Sequence, residues 1–267
     1  MRESSGVGSF SADRLMSFAI LQKELVVPDV ELLKRAFSVL PFLRDIDAQN
    51  AAHDAYGILL RGLEKQDAGA LHAALQAEGV ETELIKESTL PVLLAAKVAK
   101  RVEFGPGHLL AYDSMNHASE VPWADIMFIG VGYVRTGETR KHRSAKEEAQ
   151  LRTGAIAPLD ERGVLKVGEE ERHHMLLEIF LRDGSTRYSI AADEFLFDGL
   201  GPRMGDDLAL NFVVLIQMLV AQAPHAGLNR GAMKAAQEPP ELFPYPSRAA
   251  FNEEMTWMLW RIAKLKP

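Results

Sequence analysis

Hydrophobic positions along this chain change texture near residue 90. Before it, apolar runs and helical stripes alternate. Phe18 to Leu25 reads as a strand, and Pro28-Asp29 then opens a helix in which Asp29 is a suitable N-cap. Val30, Leu33, Phe37 and Leu40 recur at helical spacing, and Pro41 closes the stripe. Residues 42–52 are ambiguous and leave room for a short edge strand. Ala55 to Arg61 is apolar on both faces, as a covered central strand requires. Gly62 to Glu78 is predicted helical with Ala68, Leu71 and Leu75 inward, and Gly79 stands where a helix-ending glycine belongs. Val80 to Ile85 is a third strand. This order predicts a ferredoxin-like sandwich over about residues 15–92, after a disordered leader at 1–14.

The second half is strand-rich. Val98 to Phe104 and His108 to Asp113 flank the turn Gly105-Pro106-Gly107. Val121 to Val134 is the longest strand-like run and reads as the central strand of its sheet. Its Gly130 and Gly132 point to a bulge, a bend or a close backbone approach. Residues 135–174 are dense in Lys, Arg and Glu and read as a long charged insertion. Met175 to Arg182 and Thr186 to Ala191 then form a hairpin around Asp183-Gly184, and Glu194 to Phe197 is taken as a short last strand. Asp206 or Asp207 caps a helix carrying Leu208, Phe212, Leu215 and Leu219 on one face, closed by Pro224. Residues 95–223 thus suggest a PH-like antiparallel barrel with a capping helix. The tail, 224–267, ends in a helix from about Ser247. Phe251, Met255, Met258 and Ile262 share one face of it, flanked by Trp257 and Trp260, and it is expected to dock on one domain or between the two. The fold class is therefore α+β.

Composition narrows the chemistry. The chain has 267 residues, 47% hydrophobic and 25% charged, ordinary values for a globular protein of about two domains. A formal net charge of −7 argues against a nucleic-acid partner, which needs a basic face. No cysteine is present, so disulfides and thiolate chemistry are excluded. The most apolar run, Phe212 to Val220, falls short of the ~20 residues of a membrane span. A soluble cytoplasmic protein is expected, without membrane association.

Candidate chemistry is sparse. Gly199-Leu-Gly-Pro-Arg-Met-Gly205 lies between a strand and a helix, where a phosphate-binding loop would sit. Its spacing is GxGxxxG, however, and Asp206 and Asp207 would repel a phosphate. Asn229-Arg230 could tie the tail back through hydrogen bonds or hold an anion. Arg203 and Trp257 are further binding candidates. Arg135, Arg140, Lys141 and Arg143, with Lys146 close by, form a patch suited to an acidic partner or lipid headgroup. The acids at Glu147 and Glu148 favour a solvated, mixed-charge loop instead. His173 and His174 are adjacent on a strand and point to opposite faces, so no metal site is assigned. Tyr245, in Pro-Tyr-Pro, reads as a rigid connector. No catalytic residue and no cofactor is named.

Val121-Pro-Trp-Ala-Asp-Ile resembles the PW-x-x-I strand start of bacterial PH-like and GRAM-like modules. Together with Leu177 to Arg182, Glu194 to Asp198, Asn211-Phe212, Leu228 to Gly231 and Phe251 to Trp257, it resembles an uncharacterised bacterial family. In that family a ferredoxin-like half precedes a PH-like one. Tyr56 to Leu63 with Ala70 to Gly79 is similar to small modules that take a ligand or partner on a βαβ face. The resemblance implies no catalytic or binding residues. The resulting expectation is a non-enzymatic binding or regulatory protein for an unidentified protein or small-molecule partner. Two alternatives stand beside it: a nucleotide- or phosphate-ligand enzyme using 199–205, and a peripheral binder of anionic lipid.

Overall fold

The computed structural model describes residues 16–53, 56–138 and 170–265. The leader and most of the charged insertion, including Arg140, Lys141, Arg143 and Lys146, lie outside the described residues.

The chain is mixed α+β and builds three separate sheets. The first is β2–β1–β3, from β1 (Phe18–Gln22), β2 (Ile58–Leu63) and β3 (Thr82–Lys86), with β1 antiparallel to both neighbours. Three helices attend it: α1 (Val30–Phe37), α2 (Asp45–His53) and α3 (Lys65–Ala77). Asp29 caps α1 by accepting from the Glu31 amide at 2.7 Å, and the α1 and α3 stripes pack with Phe18, Ile20 and Leu59 into one cluster. The segment that left room for an edge strand is α2. Asp47 accepts from the Arg44 amide at 2.7 Å, and the small side chains Ala48, Ala51 and Ala52 let the helix lie close to the cluster. Among the described residues this sheet therefore has three strands, one fewer than a ferredoxin-like sandwich.

The second sheet is built on β8 (Ile126–Glu138), β9 (Glu170–Leu181) and β10 (Arg187–Ala191), with the two-residue strand β4 (Lys97–Val98) at one edge. The third is β5 (Arg101–Phe104), β6 (His108–Tyr112) and β7 (Ala118–Pro122). The Val121 to Val134 run is thus split. Its first residues end β7, a 3-10 turn at Trp123–Asp125 reverses the chain, and only then does β8 begin. Trp123 fixes that corner by donating its indole N–H to the Gly105 carbonyl at 3.0 Å. β8 and β9 pair from Ile126↔Leu181 as far as Glu138↔Glu170, so strand continues well into the segment expected to be a loop. The expected strand at Glu194–Phe197 is instead two 3-10 turns with a single bridge between Leu196 and Arg101.

These two sheets share one apolar cluster with α4 (Leu208–Gln222), but among the described residues they do not close into a barrel. Asp207 caps α4 through the Leu210 amide at 2.8 Å, and Phe212, Leu215, Ile216 and Leu219 are buried. Among the described residues no single helix is long and apolar enough to cross a membrane.

The outer edge of β8 is covered piecemeal by the tail. Gly227–Leu228 (β11) pairs with Phe128 and Ile129, and Pro244–Tyr245 (β12) pairs with Tyr133 and Val134. Between them the Asn229 side chain binds both the N–H and the C=O of Val131, each at 2.9 Å, as a neighbouring strand would. The short helix α5 (Arg230–Ala236) follows, and α6 (Arg248–Leu265) then crosses the open face of the sheet.

Candidate functional site

Alternation along β8 and β9 decides what α6 meets. Ile129, Val131, Leu177 and Ile179 face the α4 cluster, whereas Phe128, Val134 and Phe180 face Phe251 and Met255 of α6. Gly130 and Gly132 also lie on the α6 side. A Cβ at Gly132 would stand 2.7 Å from the Phe251 ring, and one at Gly130 would stand 2.3 Å from Met255 Sδ. Both glycines admit the helix; the irregularity in β8 lies earlier, between Ile126 and Phe128.

Two fully buried glutamates lie where α6 meets the sheet, Glu254 on the helix and Glu178 on β9, and they are treated differently. Glu254 accepts from the Arg230 amide (3.0 Å), Arg230 Nε (3.1 Å), Arg230 Nη2 (2.9 Å) and the Tyr245 hydroxyl (2.8 Å). Tyr245 in turn accepts from Asn229 Nδ2 at 2.9 Å, and Asn229 Oδ1 accepts from the Ala232 amide at 2.8 Å, capping α5. The Arg230 guanidinium also lies over the Tyr56 and Phe243 rings. This carboxylate is desolvated but well supplied with donors, the condition under which a buried ion pair holds. Burial and the nearby Glu254 charge push the Tyr245 hydroxyl far above its ordinary range.

Glu178 is less well served. It lies between Arg248, within ion-pair distance of Oε1, and Arg187, whose Nη1 is 3.1 Å from Oε2. That second pair is too poorly aligned to be a hydrogen bond. Oε2 of Glu178 and Nε and Nη1 of Arg187 are all buried without a hydrogen-bond partner. Two guanidiniums surround one carboxylate, so the cluster carries one positive charge in excess.

Arg187 also lines a cavity of about 200 Å³ at the junction of the 91–94 linker, the β9–β10 hairpin and the last turns of α6. Leu93, Phe180, Leu181, Leu259 and Ala263 supply apolar wall. Val92, 80% exposed, and Leu94, 48% exposed, form an apolar lip. Such a site can hold an apolar body while presenting a cation from its wall.

Of the sequence candidates, Asn229 and Arg230 come together with Glu254, and both are engaged within the chain. Trp257 lies one turn further along α6. Its indole donates to the Gln22 carbonyl at 2.8 Å, and its ring covers Gly57, which has φ +95° and no room for a Cβ. Arg203 lies apart, exposed at the end of the 3-10 segment Phe197–Arg203. Arg135 is exposed near the far end of β8, opposite His173 in register. The 199–205 turn is shaped from within. Gly199 abuts the Val102 carbonyl, Asn211 binds both the N–H and the C=O of Gly205 at 2.8 Å, and Asp207 occupies the start of α4. His174 pairs with Asp193 at 3.1 Å.

Glu178, Arg187, Arg248 and Glu254 escaped the sequence reading. The available signals were a charge inside the apolar run Leu176 to Leu181 and Glu254 three residues beyond Phe251 on the docking face of α6. No protein-family model, curated protein or solved structure matches this chain.

Proposed function

We propose that this chain is a non-enzymatic binding protein that takes a small, largely apolar ligand in the cavity between the 91–94 linker, the β9–β10 hairpin and α6. The observation that carries the reading is the combination of an apolar-walled cavity with exposed apolar residues at its lip, Val92 and Leu94, which face water at a cost unless covered. A PH-like plan for the second half, in which β5–β7, β8–β10 and α4 share one core, and a reduced ferredoxin-like plan for the first both suit a recognition module. The tail makes the cavity responsive, because Leu259 and Ala263 of α6 form part of its wall.

The test is the unfolding temperature of the full chain with neutral and charged six- to ten-carbon amphiphiles. At least one should raise it by about 2 °C or more, as ligand binding to the folded state alone requires. Ala263→Trp, at an exposed position on the cavity wall, should abolish the rise. No rise with any compound, or a rise that persists in Ala263→Trp, would overturn the proposal.

A further inference from the structure

Resting on that reading of the cavity, the geometry points to its ligand class: we infer an aliphatic carboxylate whose headgroup pairs with Arg187. Three observations converge. First, the wall and lip are mainly hydrocarbon. The volume of about 200 Å³ holds roughly seven water-sized groups at ~30 Å³ each, with further carbons running out over Val92 and Leu94.

Second, the Arg187 side chain is only 12% exposed, and its Nη1 lies 3.1 Å from Glu178 Oε2 without hydrogen-bond alignment, so the guanidinium is under-satisfied where its side chain borders the cavity. A buried donor without an acceptor is costly, and a guanidinium is most strongly satisfied by a carboxylate. Third, Glu178 is shared between Arg187 and Arg248, so among the described residues these two guanidiniums have one carboxylate between them. One further anionic group balances them; a dianion would overshoot and a cation would be repelled. Arg182, the other cation at the rim, is exposed and donates Nε to the Ala124 carbonyl at 2.7 Å. The headgroup is therefore assigned to the inner arginine.

The experiment is isothermal titration of the full chain with octanoate, octanol and octylammonium. Octanoate should bind about tenfold or more tightly than octanol, the worth of a charge-assisted hydrogen bond, and octylammonium should bind weakest. Arg187→Gln removes the excess charge and leaves Glu178 paired with Arg248, so no buried carboxylate is stranded. In that variant octanoate and octanol should bind alike. Equal binding of octanoate and octanol to the wild type would overturn the carboxylate assignment while leaving the apolar cavity standing. Absence of binding by all three would overturn both. If the variant does not fold, the three-ligand comparison on the wild type still decides.

Discussion

At the residue scale, the two buried glutamates show how one residue type serves different ends. Glu254 collects four hydrogen bonds and acts as a latch, whereas Glu178 leaves an oxygen unbonded beside a cavity. The latch has a pH signature through Tyr245. Its folded-state pKa lies above the unfolded value near 10, so the protonated phenol is the form the fold favours. The contribution is present in full below pH 10. Above it the unfolded chain sheds a proton that the folded chain keeps, and stability falls by up to about 1.4 kcal/mol per pH unit. Urea unfolding from pH 9 to 11 should therefore show a steeper decline for the wild type than for Tyr245→Phe; matching slopes would count against the latch.

At the scale of elements, close approach outweighs local propensity. Gly231 lies in the first turn of α5, and a Cβ there would stand 1.9 Å from the Val131 carbonyl oxygen. Helix propensity alone says that alanine should help by about 1 kcal/mol. The contact with β8 reverses the sign. Gly231→Ala should destabilise by about 1–3 kcal/mol in urea unfolding, since a backbone carbonyl in a paired strand cannot easily move aside. A stabilised variant would show that α5 sits further from β8 than described.

Elements with a strong apolar period were legible in the sequence. The stripes of α1, α3, α4 and α6, the cap at Asp29 and the Asp183-Gly184 hairpin turn all sit where spacing and turn chemistry place them. What escaped had weak local signals. Helix α2 buries only alanines, and the arms of β8 and β9 extend into charged sequence because the pairing continues, not because the side chains call for it. The two-residue strands β11 and β12 exist only because β8 offers an edge. The candidate site was still less legible. Arg187 and Glu178 meet across neighbouring strands, Arg248 comes from the tail, and no short spacing joins the three.

At the scale of the whole molecule, α6 ties the first sheet to the second. Trp257 and Trp260 pack with Ala19, Leu21 and Ile58, while Phe251 and Met255 pack on β8. Arg61 reaches Glu253 at 2.8 Å, and Lys264 pairs with Glu83. A buried aromatic of this kind contributes several kcal/mol, and Trp257→Ala should cost about 3–5 kcal/mol. The more telling outcome is loss of cooperativity. The wild type should unfold in one transition, and Trp257→Ala in two resolved by calorimetry, with the β1–β3 unit melting first. A single transition in the variant would mean that Trp260 and the ion pairs suffice to couple the units.

The patchwork along the outer edge of β8 also bears on how the chain is made. The β8–β9 hairpin leaves the ribosome well before residues 227–245, so until they arrive its edge shows bare amides and carbonyls beside apolar side chains. An exposed edge of that kind is a template for strand addition from another chain. The tail is thus the chain's own guard against aggregation, and truncations that remove it expose nascent and mature protein alike to self-assembly.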